Sequence, residues 1–252
     1  MEQQLVSLLS SSLTSTGLCA DGAGCGAGIA GTFAEQTAGY GSAMAGSVAA
    51  SPLVGIALLS VTGAVLCINA SALQTLRGPG TRAEDVIGGA LFAGFPKEWN
   101  EGLSGAIEAV VRSEHPQLVR TLWNGVQIMT WLQALAAPRG ATEAGVVLAV
   151  SHRVAGDPRE WLEPTCDGYI ESGVLRLGPL NKLTAPELRV LALLGQGYSV
   201  REVSKQLFRA EKTIEFHRTT IHRKLKITDR VELARIAQRA GLTLADADRP
   251  RM

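Results

Sequence analysis

The sequence predicts an α+β chain in two parts: an antiparallel-sheet domain with helices, then an all-α domain of four helices. Three observations predict it. Over residues 51–154, short apolar runs and turn signals alternate with helical periodicity. Over residues 183–240, three helix starts repeat one capping pattern: Thr184-x-x-Glu187, Ser199-x-x-Glu202 and Asp229-x-x-Glu232. The charge also divides. Residues 181–240 hold 13 Lys/Arg against 6 Asp/Glu, a net of +7, and the remainder carries −6, giving +1 over 252 residues. An acidic body joined to a basic C-terminal unit indicates a polyanion-binding module carried by something else.

At 46% hydrophobic and 19% charged residues, the chain has the material for a sizeable core, which excludes wholesale disorder. Cys19, Cys25, Cys67 and Cys166 stand at no metal-ligand spacing and do not pair with the four histidines. They read as small apolar residues of a reducing, cytoplasmic compartment. No basic n-region marks a signal peptide. Residues 53–70 approach the length of a membrane span, but Gly55, Ser60, Thr62, Gly63 and Asn69 interrupt them, so a buried hairpin is expected and no membrane partner. Residues 1–50 join an amphipathic fragment (5–13) to a tract (17–50) with 9 Gly and 10 Ala. Such a tract has little to pack and much entropy to lose, so a flexible arm is expected there.

From residue 51 the elements follow in order. Residues 55–60 and 64–68 are apolar runs joined by Val61-Thr62-Gly63. Asn69 caps a short helix to Leu76, which Gly78-Pro79-Gly80 ends. Residues 98–112 have helical periodicity through Leu103, Ile107 and Val110 or Val111. Strands at 118–123 and 126–135 flank Asn124-Gly125, the strongest two-residue hairpin signal, and 145–154 gives the last strand. Two strands, helices and three antiparallel strands form the order of a PAS domain. The Gly63 hairpin followed by Asn69-Ala70-Ser71-Ala72-Leu73, and the segment Glu84-Asp85-Val86-Ile87-Gly88, resemble that family over roughly residues 52–154. The resemblance implies a sensor or dimerisation domain.

Residues 155–180, rich in Gly and Pro, read as a linker. Beyond it, helices are expected at 185–196, 200–207, 211–225 and 230–240, with a domain over 181–244 and a tail over 245–252. Pro186 falls in a first turn, and Gly197 and Gly241 are stop residues. On the third helix, Ile221 and Leu225 project within about 20° of Ile214 at 100° per residue. Val190, Leu191, Leu194, Val203 and Leu207 complete one core around them. The opposite side carries Lys212, Glu215, Phe216, Thr219, Arg223 and Lys226. Cations bind phosphates, while Glu, Thr and Phe can meet base edges or a thymine methyl, as a major-groove reader requires.

The run Leu183-Thr184-x-x-Glu187-x-x-Val190-Leu191-x-x-Leu194-x-x-Gly197 resembles the opening of the LuxR-type helix-turn-helix family. Glu202-Val203-Ser204, Thr213-Ile214-x-x-His217, Lys224-Leu225 and Arg230-Val231-Glu232 follow at the family's spacing. The resemblance implies a four-helix DNA-binding domain whose third helix enters the major groove. It places base reading on Glu215, Phe216 and Thr219, and phosphate contacts on Lys205, Lys212, Arg218, Arg223 and Lys224. Four positions depart from the pattern: Glu215 stands where the family usually has Lys, Ala210 replaces the cap Ser, Pro186 replaces Arg, and Lys226 replaces Gly. A carboxylate at 215 favours a cytosine amino group. The apolar residues of the fourth helix, Val231, Ala234 and Ile236 with Ala237 and Ala240, exceed what one small core needs and suggest a homodimer contact.

In the PAS-like segment, Trp123, Met129 and Trp131 can line a ligand pocket, although such residues also simply fill cores. No flavin-adduct motif occurs, and no His falls within 98–112 where a haem ligand would stand; His115 lies just beyond. No haem or flavin is expected, and the sequence requires no cofactor. A phosphorylatable receiver domain and an acyl-homoserine-lactone sensor are likewise unsupported. No nucleophile–base pair, metal cluster or phosphate loop supports an enzyme. The expectation is a sequence-specific transcriptional regulator binding double-stranded DNA, with a small-molecule or protein signal acting at the PAS-like domain. The alternative is a PAS-mediated interaction protein with only non-specific DNA affinity.

Overall fold

The computed structural model describes residues 53–77, 80–91, 97–113, 115–135, 146–161 and 169–251. The expected arm over 1–50, and Cys19, Cys25 and Cys166, lie outside them.

The elements are β1 (Val54–Ser60), β2 (Val65–Ile68), α1 (Ala70–Leu76), α2 (Lys97–Ser113), β3 (Gln117–Trp123), β4 (Val126–Leu135), β5 (Val146–Arg153) and β6 (Tyr169–Glu171). Then follow α3 (Ala185–Gly195), α4 (Val200–Gln206), α5 (Glu211–Leu225) and α6 (Arg230–Ala240), with short 3-10 turns at Ala83–Asp85, Pro158–Trp161, Gly178–Lys182 and Ala245–Asp248. The strands form one sheet in the order β2-β1-β5-β4-β3-β6. Its first five strands, with the helices inserted between β2 and β3, have the PAS arrangement. The α+β class and the PAS-like sheet expected from the sequence are therefore the fold observed. Asn124 and Gly125 take positive φ (52° and 72°), as a tight two-residue hairpin turn requires.

The described residues form two compact units, those within 1–119 together with 130–152, and those within 120–129 together with 153–252. In the first, β1 pairs antiparallel with β2 and β5, in a register that sets Ile56 opposite Val150 and Leu58 opposite Leu148. Asn69 does more than cap α1. Its Oδ1 accepts from Ala72 N–H and Ile56 N–H, both at 2.9 Å, and its Nδ2 donates to Val54 O at 2.9 Å, so one side chain ties the helix start to β1. The backbones are close here: a Cβ on Gly55 would come within 2.9 Å of Ala72 Cα. Thr130 and Ser151 are both buried and share a hydroxyl–hydroxyl bond of 2.9 Å.

The second unit is built on a core of Leu188, Leu191, Val203, Ile214, Ile221, Leu233 and Ala237, with the half-buried Leu194, Leu207 and Leu225 against it. Helix periodicity pointed to most of this set. The same core also takes Leu122 from β3 and Leu175, Leu177 and Leu180 from the segment read as a linker. That segment carries the Pro158–Trp161 turn, β6 and the start of the Gly178–Lys182 turn.

Candidate nucleic-acid interface

The expected caps at the starts of α3, α4 and α6 are present. Glu187 accepts from Thr184 N–H (2.7 Å), Glu202 accepts from Ser199 N–H (2.8 Å), and Asp229 accepts from Val231 N–H (2.9 Å). Ala210, at the α5 start, supplies no side-chain cap. At the other end of α5, Lys226 is the C-cap residue with φ 57°, the left-handed conformation that favours glycine. α3 and α6 approach so closely that a Cβ on Gly195 would stand 2.8 Å from the Ala237 carbonyl.

These caps and contacts present α5. Ile214 and Ile221 are fully buried, whereas the Phe216 ring is 67% exposed. Lys205, Lys212, Thr219 and Arg223 are exposed, and among the described residues the three cations make no ion pair. Thr219 donates to Glu215 O at 3.0 Å, which keeps its hydroxyl close to the helix. Glu215 is bound to Arg218, Oε2 to Nη2 at 2.7 Å. Lys224 points elsewhere: its Nζ lies 2.7 Å from Oε2 of the buried Glu187, fastening α5 to the start of α3. Burial pushes the Glu187 carboxyl up, but the Lys224 hydrogen bond and the Thr184 donors outweigh it and hold it below its ordinary value. His222, half-buried, meets Ile227 O through Nδ1 at 3.2 Å. On α6, Val231 is 55% exposed and Ile236 half-buried, whereas Ala237 and Ala240, expected at the same contact, are buried in the unit's own core.

Of the three candidate pocket residues, the two tryptophans have separate partners. Trp123 carries the Arg176 guanidinium 4.2 Å above its ring, Met129 is fully buried, and Trp131 meets His152 edge-on at 5.6 Å.

Sequence reasoning missed a charged cluster inside the second unit. Arg120 is 1% exposed and donates to both oxygens of Asp246 (3.0 and 2.7 Å), to Glu171 (2.9 Å), to Gln127 (2.7 Å) and to Gly241 O (2.8 Å). Arg249 joins Asp246 and Glu171 from the other side and also donates to Ser172 O. Burial pushes the Asp246 carboxyl up, but the Arg120 hydrogen bonds and charge reverse this and hold it below its ordinary value. The only local signal was an arginine inside the apolar run Leu118–Leu122.

Two antiparallel-paired strands, helices and a returning three-strand meander, followed by a four-helix unit with an exposed basic helix, define a PAS-like sheet coupled in sequence to a helix-turn-helix. Residues 181–237 match the family model described as bacterial regulatory proteins, luxR family, so this segment is a LuxR-type helix-turn-helix domain. The transcriptional regulatory protein LiaR of Bacillus subtilis is 32% identical over 112 residues, 43% of this chain and 51% of LiaR. The oxygen regulatory protein NreC of Staphylococcus carnosus is 36% identical over 64 residues, 25% of this chain and 30% of NreC. The chain thus spans about half the length of one curated relative and under a third of the other. A solved complex of Vibrio cholera VqmA with ligand and DNA is similar over 74% of this chain and 83% of that chain, at 16% identity and a TM-score of 0.39.

Proposed function

We propose that this protein is a sequence-specific DNA-binding transcriptional regulator whose PAS-like unit modulates how the helix-turn-helix engages DNA. One observation carries the reading. α5 buries Ile214 and Ile221 completely and turns Lys212, Phe216, Thr219 and Arg223 to solvent, with both cations outside any ion pair among the described residues. Cations that are not neutralised internally are available to phosphates, and a solvated aromatic is available to a thymine methyl. Glu215, Phe216 and Thr219 are the proposed base readers, with phosphate contacts from Lys205, Lys212 and Arg223. The exposed Val231 on α6 supports a homodimer, which sets two reading helices one helical turn apart, about 34 Å. A signal at the PAS-like unit acts by shifting the population of pairs with that spacing.

The test is selection of bound duplexes from a random pool by the full chain. An enriched, roughly two-fold symmetric site is expected, and a chain with both Lys212→Ala and Arg223→Ala should enrich none. Retention of DNA without enrichment of any sequence refutes the reading.

A further inference from the structure

We propose that Arg218 reads a guanine in the major groove, with Glu215 as the residue that aims it, so that the two act as one specificity element. The proposal rests on the DNA-binding reading above and deepens it.

The helix-turn-helix resemblance assigns Glu215 to a base and Arg218 to a phosphate, as independent contacts. The geometry joins them. At 100° per residue, the backbone of Arg218 projects only about 40° from the buried Ile214 line, a flank position. Its guanidinium does not stay there. Nη2 lies 2.7 Å from Glu215 Oε2, and Glu215 projects at about 100°, next to Thr219 at about 140°. The ion pair therefore draws the positive charge from the flank toward the reading side of α5.

Three chemical facts turn this placement into a reader. A guanidinium has five N–H donors in a planar fork, so one bond to Glu215 leaves the fork free for the O6 and N7 acceptors of guanine. The carboxylate restricts the rotation of a long side chain that is 34% exposed, so less rotamer freedom is lost on binding. Finally, Glu215 facing DNA alone would be repelled by phosphates. Paired with Arg218, its charge is compensated, and its second oxygen stays available to the amino group of a cytosine. A G·C pair is the base pair that this donor–acceptor combination matches. Lys212 and Arg223 make no such pair among the described residues and are assigned to the phosphate backbone.

The experiment uses the full chain and the duplex that it enriches from the random pool. Each guanine is replaced in turn by 7-deazaguanine, which lacks the N7 acceptor. The wild-type protein should lose about tenfold to a hundredfold in affinity at one guanine per half-site. Arg218→Lys keeps the charge but removes the fork, and should abolish the sensitivity at that guanine alone. Glu215→Gln should reduce the discrimination at the same guanine, with the other positions unchanged. If Arg218→Lys leaves every deazaguanine effect as in wild type, Arg218 is a backbone contact and this inference falls alone. If the Glu215→Gln change appears at a different base pair from the Arg218→Lys change, the two are not one element and the inference also falls. A wild-type chain that enriches no site overturns the parent reading together with this one.

Discussion

Replacing Asp246 by Asn tests whether the buried charge cluster holds the second unit together. The substitution keeps the shape of the side chain and removes its charge. Arg120, 1% exposed, then faces an amide where it had a bidentate carboxylate, with Glu171 as its remaining anionic partner. Breaking a buried ion pair by removing one member costs about 3–5 kcal/mol, and Glu171, itself partly exposed, compensates the buried charge of Arg120 only in part. At roughly 2–4 °C per kcal/mol for a chain of this size, the midpoint of thermal unfolding should fall by about 6–20 °C. Asp246 also accepts from Thr243 N–H (2.8 Å) and Thr243 Oγ1 (3.0 Å), so the start of the last 3-10 turn should loosen in the same variant. Circular dichroism during a thermal ramp measures the midpoint. The companion variant, Arg120→Met with Asp246→Leu, removes both charges and leaves Arg249 paired with Glu171 at 2.7 Å. It should lie closer to wild type than either single variant, giving a coupling energy well above that of independent sites. A loss below about 1 kcal/mol in Asp246→Asn would refute the reasoning, since only solvent-screened pairs are worth so little. So would additive single-variant losses.

Acidification should act through the same carboxylate. Its folded-state value lies below the ordinary one, so the unfolded chain binds more protons, and the stabilisation is full above about pH 4 and lost as the pH falls below it; acid unfolding followed by fluorescence should show a shallower pH dependence in Asp246→Asn than in wild type. Lys224→Met should lower the thermal midpoint, because it strands the buried Glu187, while leaving the salt slope of DNA binding unchanged; Arg223→Ala should do the reverse, cutting the slope by about 0.9 and leaving the midpoint in place. Lys226→Gly should raise stability by about 1 kcal/mol in a denaturant titration, because its φ of 57° places a side chain in a glycine conformation.

The elements legible in the sequence were those whose causes lie within a few residues. The capping boxes at Thr184 and Ser199, the stop at Gly241 with φ 50°, and the Asn124-Gly125 turn with two positive φ values are local chemistry, and each stands where it was expected. Asn69 was legible as a cap, but its bonds to Ile56 and Val54 were not, because they depend on β1 lying alongside. The segment before α3 illustrates the opposite case. Gly156, Pro158, Pro164 and Pro179 dominate its local pattern and read as a linker, yet Leu175 and Leu177 are completely buried. Two alternate leucines are too short a signal to outweigh so many turn residues. The Arg120–Asp246 pair spans 126 positions, and no periodicity or spacing reports a contact of that range.

The same limit applies to charge. A net of +7 over residues 181–240 was a sound reason to expect a polyanion, but it does not count phosphate contacts. Arg189 is paired with Asp248 at 2.6 Å, Lys224 with Glu187 and Arg218 with Glu215, so three of the cations are engaged within the unit. On α4, α5 and the turns that follow them, the exposed cations outside any ion pair among the described residues are Arg201, Lys205, Arg209, Lys212, Arg223 and Lys226. If each met one phosphate, the slope of log affinity against log salt would reach about −5 per protomer. That value is a ceiling for this surface. A measured slope steeper than it would require cations from elsewhere in the chain, and a much shallower one would mean that affinity comes mainly from base contacts such as Phe216 and the Arg218–Glu215 pair.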